Sequence, residues 1–135
     1  MKLKIVLLLF FVLSLSASEY AVVSNVLLEK LSPTQIRAIF LKKLTHFNGK
    51  HLVPVNLPST SPVRASFEKE LLKMSTRRLK AYWIKQHYLG NRPPHTMKSQ
   101  EGALKFTQNV QGALTYVKIE KLSSKVNVLY QWKEE

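Results

Sequence analysis

The sequence has no cysteine and no aspartate, and only 4 glycines in 135 residues. Each absence removes a class of chemistry. Without cysteine no disulfide can brace the fold, so packing must stabilise it, and no cysteine is available to carry a lipid anchor. The nucleophiles and carboxylates open to an enzyme narrow to Ser, Thr, Lys and Glu. No Gly-x-Ser-x-Gly elbow is present. Glu68 and Glu70 are two apart in a helical stretch and face different ways, which is unsuited to a pair of carboxylates flanking one bond. The histidines His46, His51, His87 and His95 lack the His-Glu-x-x-His spacing. His46 and His51 can share a hairpin, but two imidazoles without a third ligand make a weak zinc case. Gly49, Gly90, Gly102 and Gly112 are scattered and form no glycine-rich loop. The expectation is a protein that is not an enzyme and holds neither metal nor cofactor.

What the sequence does have begins at its start. Lys2 and Lys4 precede an unbroken apolar run over residues 5–13, followed by Ser14, Leu15, Ser16, Ala17 and Ser18. A basic n-region, a short apolar core and small residues at Ser16 and Ser18 predict a secretory signal peptide, residues 1–18, cleaved after Ser18. The run is too short for a stable membrane span, which needs roughly 20 residues. An uncleaved anchor is the alternative. The expected location is the periplasm, and the mature chain, residues 19–135, is one domain's worth.

Charge is lopsided. The chain carries 21 Lys and Arg against 8 acids, a formal net charge of +13. Setting aside Lys2 and Lys4 leaves 19 cations against the same 8 acids. Such a surplus favours anionic partners. For an exported protein these are phosphate, anionic lipid headgroups, acidic glycans or a negative protein rather than nucleic acid. A basic bias with no partner is the plain alternative.

Local signals give the element order. Residues 20–23 are β-prone. Ser32-Pro33-Thr34-Gln35 opens a helix with a capping box, and Ile36, Ile39 and Phe40 form its apolar face. Asn48-Gly49 marks a turn. Residues 52–57 read as a strand, with Pro54 suggesting an edge or an irregular start. Ser61 and Pro62 open a second helix, in which Val63, Phe67 and Leu71 recur four apart. Ser75 caps a third, through Tyr88, with Leu79, Tyr82 and Trp83 inward and Arg77, Arg78, Lys80 and Lys85 outward. Ser99 caps a fourth, to about Val110. Residues 112–117 and 126–131 read as closing strands. Strands interleaved with helices predict a layered α/β domain with a partly parallel sheet covered on both faces.

One stretch suits an anion. Pro58-Ser59-Thr60-Ser61 ends a strand and opens a helix, where free backbone N–H groups and the dipole favour negative charge. The hydroxyls of Ser59, Thr60 and Ser61 add donors, and Arg64 can clamp an oxyanion with its planar fork. Ordinary capping by Ser61, with Arg64 in solvent, explains the same residue types. The basic and aromatic residues 76–85 read as a core helix with a solvated face.

Taken in order, these segments resemble the substrate-binding proteins of phosphate ABC transporters. Leu31-Ser32-Pro33-Thr34-Gln35-Ile36 to Lys43 is similar to that family's L-S-x-x-Q-I-x-x-I-F-L-G-K. Val53-Pro54-Val55 and Ser61-Pro62-Val63-Arg64 with Phe67 resemble I-x-P-V and S-P-x-R-x-x-F. Gly112 to Val117 resembles P-G-A-I-G-Y-V. The resemblance runs from Tyr20 to Val117 and is to the short, stand-alone members. It implies a single three-layer-like lobe of a type 2 periplasmic binding protein, a small mixed sheet flanked by about four helices. It also implies phosphate or a similar oxyanion as ligand at Ser59, Thr60, Ser61 and Arg64. The partners it implies are an ABC permease or, by loss of the ligand, an anionic envelope partner; a homodimer would restore a closed cleft. Ser61 matches the family's serine and Arg64 the arginine of the short members. Asn56 and Leu57 stand where an arginine is expected, Pro62 and Val63 replace small and hydroxyl residues, Lys42 replaces a glycine, and Phe47 falls where tryptophan is usual.

Overall fold

The computed structural model describes residues 18–25, 30–123 and 125–134. Nearly all of the expected signal peptide, including its apolar run, lies outside the described residues; Ser18 alone of it is described. Strand β1 (Ser18–Ser24) leads to helix α1 (Pro33–Phe40), then to the short hairpin β2 (His46–Phe47) and β3 (Lys50–His51). Strand β4 (Val53–Asn56) feeds helix α2 (Pro62–Phe67), and α3 (Thr76–Tyr88) follows. Strand β5 (His95–Thr96), helix α4 (Gln100–Asn109) and strands β6 (Ala113–Lys118) and β7 (Asn127–Glu134) complete the chain.

The main sheet has the order β5-β4-β6-β1-β7. β4 is parallel to β5 and β6, while β1 is antiparallel to β6 and β7, so the sheet is mixed. Side chains alternate across it as strand geometry requires. Tyr20 and Val22 of β1 and Leu114 and Tyr116 of β6 enter the larger core with Ile36, Ile39, Phe40 and Phe67. Ala21, Val23 and Val117 point the other way, onto Leu104 of α4. Helices thus cover both faces, giving the three layers expected. The centre of the larger core is aromatic: Phe67 stacks on Tyr116 at 4.0 Å between centroids and meets Phe40 edge-on at 4.7 Å.

Four helix starts follow the sequence signals. Ser32, Ser61, Ser75 and Ser99 each accept a backbone N–H three residues on, and Ser32 with Gln35 forms the reciprocal box. Three details settle or depart from the expectation. Of the two readings of Pro54, the irregular start holds and the edge does not, since β4 lies between β5 and β6. Val53 N–H donates to Gly112 on the β6 side, so the proline nitrogen of Pro54 faces the other side, where pairing with β5 starts only at Val55. The second helix keeps Val63, Phe67 and Leu71 buried but widens after Phe67 into a π-helical turn, Glu68–Leu72, which also buries Leu72. β7 runs on to Glu134, because Trp132 stacks on Tyr20 at 5.1 Å and donates to Ser66 Oγ. Gly112 is required where it stands: its φ is +82° and a β-carbon there would collide with the His51 carbonyl.

Candidate functional site

The loop from Pro58 to Ser61 lies where β4 gives way to α2. A turn closes it, with Ser61 N–H donating to the Pro58 carbonyl at 2.9 Å. Ser61 is extended, and its Oγ accepts from Arg64 N at 3.4 Å. Beneath the loop the strand end is pinned. The Tyr116 hydroxyl donates to Asn56 Oδ1 at 2.9 Å and accepts from Leu57 N at 3.2 Å. Burial pushes the Tyr116 phenol well above its ordinary range, so it keeps its proton and its role as donor. Asn56 and Leu57, the positions where the resemblance expects an arginine, are therefore anchors for the loop.

Arg64 is neither solvated nor free. Its Nε donates to Glu68 Oε1 at 2.7 Å and its Nη1 to the Leu57 carbonyl at 2.9 Å. Both partners of the ion pair are mostly covered, at 19% and 16% side-chain exposure. The guanidinium ties the end of β4 to the π-helical turn.

The four expected ligand residues divide between two sides of the loop. Ser59 and Arg64 line a groove of about 540 Å³ shared with Glu68, Leu79, Trp83 and Tyr88. Thr60 and Ser61 line a separate hollow of about 290 Å³ whose far wall is Lys98, Ser99 and Glu101, at the start of α4. The two helix starts meet there because β5 runs parallel to β4 and Met97 N–H donates to the Asn56 carbonyl at 2.8 Å. Ser99 Oγ accepts from Gly102 N at 3.0 Å. A capping hydroxyl that accepts one bond still has its own proton to donate. Ser61 and Ser99 can each aim an O–H into the hollow, beside the hydroxyl of Thr60. Glu101 is turned to Lys121 at 2.9 Å, and that hydrogen bond holds its carboxyl below the usual range. Lys98 is exposed and, among the described residues, makes no ion pair. Lys98 and Ser99 were not among the ligand residues expected from sequence, where Ser99 was read only as a cap; the parallel pairing of β5 with β4 brings this second Ser-capped helix start beside the first.

The other groups fall apart. His46 and His51 face each other across the hairpin at 5.0 Å between ring centroids. His87 lies on α3 and His95 on β5. Among the described residues no group of three or more His, Cys, Asp or Glu could hold a metal. On α3, Leu79 is buried, the Tyr82 hydroxyl donates to the Leu41 carbonyl, and Arg77, Arg78, Lys80 and Lys85 face solvent, as expected.

Solved structures share this fold. An ABC-type phosphate transport receptor from Vibrio cholerae superposes with a TM-score of 0.67 at 16% identity, over 84% of this chain and 46% of the receptor. The fold is that of one lobe of a type 2 periplasmic binding protein. A phosphate ABC transporter substrate-binding protein from Clostridium perfringens, with bound phosphate, gives the same TM-score and identity over 84% of this chain and 45% of its own. PstS from Borrelia burgdorferi matches the lobe with a TM-score of 0.61 at 11% identity, over 84% of this chain and 47% of its own. The lobe thus spans under half the length of these proteins. No family model matches the sequence, and no curated protein matches it. Among the described residues no helix is long and apolar enough to cross a membrane.

Proposed function

We propose that the chain is an exported, periplasmic lobe of the phosphate-receptor type that holds phosphate or a similar oxyanion weakly. The observation that carries the reading is the hollow in which Thr60, Ser61, Ser99 and Lys98 converge. Three hydroxyl donors and one ammonium suit a tetrahedral oxyanion, and the dipole at the start of α4 adds to them. Ser59 lies on the groove side of the same loop, outside the hollow, and Arg64 acts by fixing the loop's base. Open to water, such a half-site binds weakly; a dissociation constant of about 1 mM corresponds to about −4 kcal/mol. On this reading the partner is an ABC permease, or a second copy that closes the cleft. The test is calorimetric titration with phosphate of the parent and of Lys98→Ala, at low and moderate salt. Saturable one-site binding that the variant weakens supports the reading. No heat and no thermal shift at millimolar phosphate would sink it.

A second reading has its own observation. Two of the Arg64 hydrogen-bonding groups are already committed within the fold, and the surface remains strongly basic. A receptor-derived module that has lost its ligand would then dock on an anionic envelope partner. Its binding would fall steeply with ionic strength.

A further inference from the structure

The exposed large apolar residues among those described are Ile84, Tyr88 and Leu89, at 54%, 85% and 64% exposure. All three lie in the last turns of α3 and its cap. They share a stretch, residues 76–92, that carries Arg77, Arg78, Lys80, Lys85 and Arg92 and no acid at all. These cations are exposed, and among the described residues none of them makes an ion pair. Arg77, Lys80, Ala81, Ile84 and Tyr88 recur at helical spacing, so one outward stripe is cationic at its N-terminal end and apolar at its C-terminal end. Trp83 is half-buried in the groove that Lys80, Ile84 and Tyr88 of this stripe also line.

A solvated helix face has no use for three uncovered large apolar side chains, and a purely electrostatic docking face has none either. Cations flanking an apolar tip match a surface that is anionic outside and apolar just beneath. A second copy of the chain is a poor occupant, since two such faces would bring cations against cations. We infer that the outer face of α3, with Ile84, Tyr88 and Leu89 at its tip, docks on an anionic lipid bilayer. The cations meet headgroup phosphates and the apolar tip enters the interface. This inference is independent of the oxyanion hollow.

The test reads Trp83, since Trp132 is buried at 8% exposure. Protein purified from cells expressing the full sequence is mixed with vesicles of phosphatidylcholine alone or with an equal part of phosphatidylglycerol, with and without brominated acyl chains. The expected result is a blue shift and bromine quenching of Trp83 on the anionic vesicles only, reversed by salt. Tyr88→Asp/Leu89→Asp and Arg77→Glu/Lys80→Glu should each lower vesicle affinity at least about tenfold. The altered residues are exposed, so circular dichroism should show an unchanged fold, and phosphate titration at the hollow should match the parent. Unquenched Trp83 on anionic vesicles, or a double variant within about twofold of the parent, would overturn the inference. So would vesicles being ignored while heparin binds parent and Tyr88→Asp/Leu89→Asp alike, or a dimer that the variant dissociates.

Discussion

The two sides of the Pro58–Ser61 loop each hold a cation beside hydroxyl groups, and differ in whether that cation is already paired. On the groove side, Arg64 is half-buried, paired with Glu68 and bonded to the Leu57 carbonyl, over an aromatic core of Phe67 and Tyr116. On the hollow side, Lys98 is exposed and three hydroxyls surround an open space. A cation whose hydrogen bonds are satisfied inside the protein holds the fold; one left unpaired beside free hydroxyl protons can hold a ligand. Residue type alone favoured the arginine as the clamp. On the proposed reading that role passes to Lys98, which lines the hollow.

That contrast can be broken in four places. Arg64→Ala should have the largest effect, costing about 2 kcal/mol in chemical denaturation, because it removes two charge-assisted hydrogen bonds and leaves Glu68 without its partner. Were Arg64 a ligand clamp instead, the variant would lose phosphate binding and keep its stability. Tyr116→Phe should cost about 1–2 kcal/mol, since Leu57 N and Asn56 Oδ1 both lose a buried partner. The same phenol gives a pH signature. Its folded value lies above its unfolded one, so its contribution is complete below about pH 10 and is lost as pH rises further. The stability gap between parent and Tyr116→Phe should therefore be widest below about pH 10 and narrow as pH rises further, as followed by denaturant titrations at each pH with circular dichroism.

On the hollow side the effects are smaller and appear in binding. Lys98→Ala should raise the phosphate dissociation constant about three- to fivefold while the melting temperature stays put. Glu101→Gln should do least: the exposed pair with Lys121 adds nothing measurable to stability, and loss of a negative charge from the rim should tighten phosphate slightly in the same titration.

Much of this architecture was legible in the sequence. The serine caps at Ser32, Ser61, Ser75 and Ser99 each mark a true helix start, because capping is a local bond between neighbours in the chain. The period of Val63, Phe67 and Leu71 survives the π-helical turn. What escaped was set by distant partners. β5, only two residues long and directly after Pro93-Pro94, has no alternation to reveal it, and it exists because β4 offers it hydrogen bonds. Pro54 allowed an edge or an irregular start, and the irregular start holds, since its missing N–H falls where no strand lies opposite. The candidate site was half legible for the same reason. Ser61 was visible as a cap, but Lys98 and Ser99 reach it only through a parallel pairing between segments some forty residues apart.

The most direct test of the central claim is a phosphate titration followed by backbone amide NMR. If the hollow is the site, amides of Thr60, Ser61 and Val63 should shift together with those of Ser99, Gln100 and Gly102 along one saturable curve. Shifts spread over exposed lysines without saturation, or confined to the groove side around Arg64 and Glu68, would contradict it.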